Sequence, residues 1–234
     1  MTTQTCIILA GGLGTRLRAI VGDVPKCLAP VRGKPFLHWQ IDSLRRRGVE
    51  RFVLSLGHGA SQVEDAVAAF DTSVRIDCVT EPRALGTGGA IAFALDACGL
   101  REAMVANGDT SLGGDLQPML GPIRADAGEQ LRVATTLVTD RARFGGLEAD
   151  SDGRVVHFLE KGTQGPGPIN AGLYRVHRAA LPSGNDAPYS LESECFPALT
   201  ARGALFAAPV SGPFIDIGVP EDYRRYCDDH ERFR

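Results

Sequence analysis

Between Cys6 and Leu17 the chain reads CIILAGGLGTRL: an apolar run, then Gly11, Gly12 and Gly14, then Arg16. Glycines at the end of a buried strand let the backbone approach a ligand and aim N–H groups at anionic oxygens. Downstream, Arg16, Arg18, Lys26, Arg32 and Lys34 stand against a single acid, Asp23, in a chain whose formal net charge is −3. Such focused positive charge suits a polyphosphate better than it suits a nucleic acid, which needs a broad basic surface. Of 25 basic residues only Lys26, Lys34 and Lys161 are lysine. In a chain so biased toward arginine, a retained lysine marks a place where a compact ammonium is needed. Lys26 follows Asp23-Val24-Pro25, which limits where it can point. Arg16 and Lys26 are therefore the candidate charge-stabilising pair.

Two carboxylates suit the same chemistry. Asp109 follows the apolar run Ala103–Ala106, at the C-terminal end of a strand, where open α/β sheets bind ligands. Asp216 lies between Ile215 and Ile217. Paired, they make a natural Mg2+ site, with phosphate oxygens and waters completing the shell. Other chemistries are disfavoured. Position 17 is Leu where a dinucleotide fingerprint needs its third glycine, and Gly33-Lys34 runs into Pro35 rather than Ser or Thr. The five histidines show neither ligand spacing nor a nucleophile arrangement, and no Lys-x-Asp-Gly motif suggests a nucleotidyl-lysine.

The elements that must position these groups alternate. Strands are expected at Thr5–Ala10, Arg51–Leu56, Val74–Thr80 and Ala103–Ala106. Between them fall a helix opened by Pro35 and stopped by Gly48, one begun by a capping box of Ser61 and Glu64, and one over Gly89–Cys98. This order implies an α/β fold with a mainly parallel sheet covered on both faces. The second half is less regular. Strands are expected at Leu131–Thr139, Ile169–Val176, Ala204–Val210 and Phe214–Ile217, and a hairpin of Gly146–Ala149 with Arg154–Leu159. Helices are expected near Ser190–Arg202 and Pro220–Glu231, and Gly162–Pro168 is a loop by composition. Residues 1–234 read as a single domain, with a regular first half, about 1–110, and a less regular second half, about 111–234.

Composition sets the frame. The 234 residues are 44% apolar and 23% charged, ordinary values for a globular protein. The start MTTQTCIILAGG has no basic n-region, and no apolar stretch approaches a membrane span. The six cysteines are scattered without a CxxC pair and read as thiols in a reducing cytoplasm.

The motifs GGLGTRL (Gly11–Leu17) with Pro25-Lys26, Glu81-Pro82 with LGTGGA (Leu85–Ala90), Asn107-Gly108-Asp109, Glu160-Lys161, NAGLY (Asn170–Tyr174) and FIDIGVPEDY (Phe214–Tyr223) span nearly the whole chain. Together, and in this order, they resemble the sugar-phosphate nucleotidyltransferases. That resemblance implies a Rossmann-like nucleotidyltransferase fold and an enzyme that joins a sugar 1-phosphate to a nucleoside triphosphate with loss of pyrophosphate. It implies a nucleotide held by Leu9, Ala10, Gly11, Gly12, Gly14, Thr15, Glu81, Gly86, Thr87 and Gly108, with Arg16 on the departing pyrophosphate and Lys26 at the α-phosphate. It implies a sugar phosphate held by Gly145, Glu160, Lys161 and Asn170, and Mg2+ on Asp109 and Asp216. Cys27 departs from the small residue or proline expected after Pro-Lys, and the length leaves no room for the left-handed β-helix of acetylating members.

Within the family, GGLGTRLR, DVPKCLAPVRGKPFL, LGTGGAI, NGDT, INAGLY and FIDIGVPEDY are most similar to the guanylyltransferases that act on a manno-configured heptose 1-phosphate for bacterial surface polysaccharide. The partners implied are GTP and a sugar 1-phosphate, with no nucleic acid and no membrane; monomer and homo-oligomer are both left open. Mannose 1-phosphate guanylyl transfer is the nearest alternative, and cytidylyl or thymidylyl transfer to glucose 1-phosphate a more distant one. A non-catalytic sugar-nucleotide sensor on the same fold has no use for the complete set Arg16, Lys26, Asp109 and Asp216.

Overall fold

The computed structural model describes residues 3–233 apart from 13, 15, 71, 72, 160 and 184–186. Seven strands form its main sheet: β1 (Thr5–Leu9), β2 (Arg51–Leu56), β3 (Arg75–Thr80), β4 (Glu102–Asn107), β5 (Leu131–Val138), β6 (Gly167–His177) and β7 (Leu205–Pro209). Their order is β7-β5-β6-β4-β1-β2-β3. Every neighbouring pair is parallel except those made by β6, which runs antiparallel to both β4 and β5. The mainly parallel α/β sheet expected from the alternating pattern is therefore present, with one reversed strand that lets the second half join the first.

The sheet is covered on both faces, as a sheet of continuous apolar strands must be. On one face Ile7, Val53 and Val105 pack with Ile91 and Leu95 of α3 (Gly86–Ala97) and with Phe196 and Leu199 of α4 (Phe196–Ala201). On the other, Cys6, Ile8, Phe52 and Met104 pack with Leu37 and Ile41 of α1 (Phe36–Arg46) and with Val63 of α2 (Ala60–Ala68). Each fully buried Ile, Leu or Phe contributes roughly 1.5–3 kcal/mol. Among the described residues no helix is long and apolar enough to cross a membrane.

After β4 the chain leaves the sheet. Thr110–Leu112 pairs antiparallel with Phe214–Asp216, in a register that sets Thr110 opposite Asp216. The chain then runs to α5 (Pro220–Asp228) and closes with a 3-10 turn over His230–Phe233.

Three expectations need correction. The Ser61–Glu64 capping box is absent: α2 starts at Ala60 from Gly59, whose φ of 70° makes the turn, with no side-chain cap. Ser61 is thus already inside the helix, and the Glu64 carboxylate instead accepts from Thr80 Oγ1 at 3.4 Å. The third helix begins at Gly86 rather than Gly89, because the Gly88 amide donates to the Tyr189 carbonyl and draws the glycines into the first turn. The segment near Ser190 opens as a π-helical turn, Leu191–Cys195, before α4. The hairpin of Gly146–Ala149 runs back through Val155–Leu159 as expected.

The long connection from Leu112 to β5 is clasped by Glu129, whose side chain is fully buried. Arg132 donates to its two carboxylate oxygens at 2.7 Å each, and the Arg124 amide donates at 2.7 Å. Arg132 also donates to the carbonyls of Pro118 and Pro122. Burial pushes the Glu129 carboxyl up, but these donors more than offset it and hold it below its ordinary value. A depressed carboxylate contributes stability above its unfolded pKa and loses it as pH falls through the folded value. Glu129→Gln is expected to cost about 3–5 kcal/mol at pH 7, since it leaves Arg132 buried without its charge partner. In urea melts the gap from wild type should hold above pH 5 and shrink below about pH 4.5. Equal urea midpoints at pH 7 would contradict this role.

Candidate active site

The C-terminal ends of β1, β2 and β4 open into a cleft of about 520 Å³. Its floor is backbone. Ala10 donates to Ser55 O at 2.9 Å and Gly108 donates to Leu9 O at 3.0 Å. A Cβ on Gly108 would stand 2.3 Å from that Leu9 oxygen, so only glycine permits the contact between the two strand ends.

Lys26 enters from the 3-10 turn Lys26–Leu28 that follows Pro25. Its Nζ lies 2.5 Å from Asp109 Oδ2 and 3.7 Å from Asp216 Oδ1. The side chain is only 13% exposed. Asp109 and Asp216 meet because the ladder of Thr110–Leu112 with Phe214–Asp216 places them side by side, and Ile217 N donates to Asp109 O at 2.9 Å. Asp216 Oδ1 also accepts from Gly218 N at 2.7 Å. Gly14 lies against the stem of Lys26: its φ is 57°, and a Cβ there would stand 2.9 Å from Lys26 Cβ.

Of the sequence-predicted nucleotide residues, Leu9, Ala10, Gly11, Gly12, Glu81, Gly86, Thr87 and Gly108 all line this cleft, together with Lys26 and Asp109. Thr15 and Glu160 lie outside the described residues. Arg16 is exposed at the end of the glycine turn and is not part of the lining. Gly145 and Lys161 also lie outside the lining, on turns joined by the bond from Gly162 N to Ala142 O. The Thr87 hydroxyl is engaged as an acceptor for Leu191 N at 2.9 Å. Glu81 accepts from Leu85 N at 3.1 Å through one oxygen, and burial pushes its carboxyl above the ordinary range despite that bond.

Asn170 sits behind the wall rather than in it. Its amide donates to Tyr174 Oη at 3.0 Å and Glu192 Oε1 at 2.8 Å, and its Oδ1 accepts from Gly172 N at 2.9 Å. Both amide hydrogens are thus engaged within the protein, one of them on the Glu192 carboxylate that lines the cleft. Burial pushes the Tyr174 phenol well above its ordinary range, so it joins this network as a neutral hydroxyl. Sequence reasoning missed Ser55, Asn107, Tyr174, Ser190, Leu191 and Glu192, all part of the lining. A signal for the last three exists: the Ser190 and Glu194 side chains cap the π-helical turn, accepting from Ser193 N and Ser190 N.

A glycine-rich backbone floor, an ammonium shared by two carboxylates and a polar far wall make a site for a polyanionic ligand with hydroxyls. Residues 5–231 match the model of the nucleotidyl transferase family, and the chain belongs to that family. It is 33% identical to the D-glycero-alpha-D-manno-heptose 1-phosphate guanylyltransferase of Aneurinibacillus thermoaerophilus, over 94% of this chain and 95% of that one. It is 34% identical to the mannose-1-phosphate guanylyltransferase of Mycobacterium tuberculosis, over 94% of this chain and 62% of that one. The crystal structure of HddC from Yersinia pseudotuberculosis superposes with a TM-score of 0.85 at 35% identity, covering 97% of this chain and 99% of that one. The same figures hold for HddC complexed with GMP-PN.

Gly14→Ala tests the packing at Lys26. A methyl group in a left-handed turn and against the lysine stem is strained twice over. Turnover by the variant should fall by about 10-fold or more, as expected for a displaced reacting group. Unfolding should shift by no more than a few degrees. Wild-type turnover in Gly14→Ala would show that Lys26 does not depend on this contact.

Proposed function

We propose that this protein transfers GMP from GTP to D-glycero-α-D-manno-heptose 1-phosphate, releasing pyrophosphate and GDP-heptose for bacterial surface polysaccharide such as capsule. The observation that carries the chemistry is the Lys26 ammonium between Asp109 and Asp216, at the edge of the glycine-floored cleft. The choice of substrates is supported by the similarity to the heptose 1-phosphate guanylyltransferases and to HddC, described with GMP-PN.

In this reading an oxygen of the sugar phosphate attacks the α-phosphorus of GTP in line. The bond from that phosphorus to the bridging oxygen breaks, and pyrophosphate leaves with the bonding electrons. Such a displacement relies on positioning and on stabilising charge rather than on covalent help. Lys26 neutralises charge growing at the α-phosphate, and Arg16 meets the departing pyrophosphate. Backbone amides of the Gly11-Gly12 turn hold phosphate oxygens. Lys161 takes the sugar phosphate, while Glu160 and Glu192 accept from sugar hydroxyls and Asn170 keeps Glu192 in place.

The residues present also fit Mg2+. Asp109 and Asp216 converge on one cation, and among the described residues no third His, Cys, Asp or Glu joins them. Two carboxylates, with phosphate and water supplying the remaining oxygens, are how magnesium is commonly held. Asp109 and Asp216 would hold the ion, which would supply positive charge to offset that of the phosphates.

Glu81 suits the base. A carboxylate accepts from two neighbouring N–H donors, and guanine presents two on its pairing edge while uracil and thymine present one. Glu81→Gln keeps the shape but replaces an acceptor with a donor. The expected result is a rise of about 10–100-fold in KM for GTP, the worth of one or two charge-assisted hydrogen bonds. KM for GTP should also rise in wild type as pH falls toward the raised Glu81 pKa.

Pyrophosphate release from a matrix of nucleoside triphosphates against sugar 1-phosphates tests the assignment. GTP with the manno-configured heptose 1-phosphate should be fastest, and GTP with mannose 1-phosphate slower. Mannose 1-phosphate fastest would move the protein to the neighbouring branch. CTP or dTTP with glucose 1-phosphate fastest would overturn both guanylyl readings, and no release with any pair would favour a sensor.

A further inference from the structure

Helix α1 buries one face through Leu37, Ile41 and Leu44, and Gln40 stands on that same face at 4% exposure. An apolar side chain would pack there without penalty, whereas a buried amide needs partners. Gln40 Nε2 donates to Asn107 O at 2.7 Å and to Thr110 O at 2.8 Å. Both partners are carbonyls, which only accept, so chemistry fixes the orientation of the amide. The two carbonyls flank Gly108-Asp109. Gln40 therefore grips the turn that presents the Asp109 carboxylate, one donor on either side.

That grip has a cost. Gln40 Oε1 is buried with no partner among the described residues, so it gives up its hydration with nothing in exchange. Stability alone does not favour such a residue, but a turn that must hold one geometry does. The remaining backbone bonds of the turn come from different elements: Gly108 N donates to Leu9 O at the end of β1, and Ile217 N donates to Asp109 O. With Gln40 from α1, the backbone around Asp109 is tied to three separate parts of the fold. Just past the end of the same helix, Arg47 donates to Leu112 O at 2.5 Å and Gly114 O at 3.3 Å, beyond the turn.

We infer that Gln40 is a positioning residue: it holds the Asp109 carboxylate in register with Lys26 and Asp216, and so sets the geometry at which cation and phosphate meet. This rests on the functional reading above, in which Asp109 faces magnesium and Lys26 faces the α-phosphate.

The test uses the full chain with Gln40→Met, which keeps the volume and removes both donors, and Arg47→Met as a control that also loses bonds to backbone carbonyls. Three quantities are compared: the thermal midpoint, kcat and KM for both substrates, and Mn2+ affinity by electron paramagnetic resonance with a non-hydrolysable GTP analogue. For Gln40→Met, kcat should fall by about 10–100-fold, the cost of a misplaced reacting group, with each KM within about threefold. Mn2+ should bind at least fivefold more weakly. Arg47→Met should lose thermal stability yet keep kcat and Mn2+ affinity within about twofold. A Gln40→Met protein with a lowered midpoint but wild-type kcat and Mn2+ affinity would make Gln40 a packing residue only and overturn the inference, as would equal losses of kcat in Arg47→Met. Should Gln40→Met not fold, Gln40→Glu takes its place, and hydrogen exchange compared with wild type decides independently. The Gly108 amide, bonded to Leu9 O in both, should exchange at least tenfold faster in the variant, and equal rates would contradict the grip. Wild type that binds Mn2+ yet transfers no nucleotide would fail the functional reading alone, leaving the Mn2+ comparison to judge Gln40.

Discussion

Two carboxylates and one ammonium, drawn from positions 26, 109 and 216, share a space a few ångströms across. Like charges side by side repel, and a partly buried ammonium is costly without partners, so none of the three is at ease there alone. Much of the surrounding architecture serves to keep them together. The short ladder between Thr110–Leu112 and Phe214–Asp216 does the joining, because its register turns a separation of more than a hundred residues into adjacency. Lys26 is then brought in by a tight turn after Pro25 and packed against Gly14.

The sheet explains why this happens where it does. Parallel strands end on the same side, and β1, β2 and β4 deliver the glycine turn, Ser55 and the Asn107–Asp109 turn to one rim. The reversed strand β6 ties the second half of the chain onto β4 and brings Asn170 and Tyr174 to the opposite wall. A cleft with glycine-rich backbone on one side and the Glu192 carboxylate on the other follows from that topology. Family membership and the physical reading of the cleft thus agree on the class of reaction.

Much of this was legible in the chain. Continuous apolar runs marked β1, β2 and β4, since strands buried on both faces leave no other pattern. Asp109 and Asp216 were legible because each closes or interrupts such a run within a recognisable motif. The capping box at Ser61 misled because Gly59 can itself make the turn, and a capping signature carries no information about a glycine that precedes it. Gln40 and Glu192 were hidden for different reasons. Gln40 occupies an apolar-face position of a helix, where periodicity records only that the helix is amphipathic. Glu192 lies in an irregular turn whose place in the cleft depends on contacts from β6 and, far away in sequence, from Thr87 of α3. The motif around Asn170 carries an expectation of sugar recognition, while its bonds to Tyr174 and Glu192 arise from packing that no motif records.

The central claim is that Lys26 stabilises charge at the α-phosphate. The most direct measurement is single-turnover transfer of α-32P-labelled GMP from GTP to D-glycero-α-D-manno-heptose 1-phosphate, comparing wild type with Lys26→Met, each in excess over GTP and with saturating sugar phosphate. Wild type should give one labelled GDP-heptose per pyrophosphate. In the variant the rate should drop by about 10²–10³-fold, the usual effect of removing a group that meets developing charge, while substrates still bind. A Lys26→Met enzyme that turns over within a few-fold of wild type would contradict it.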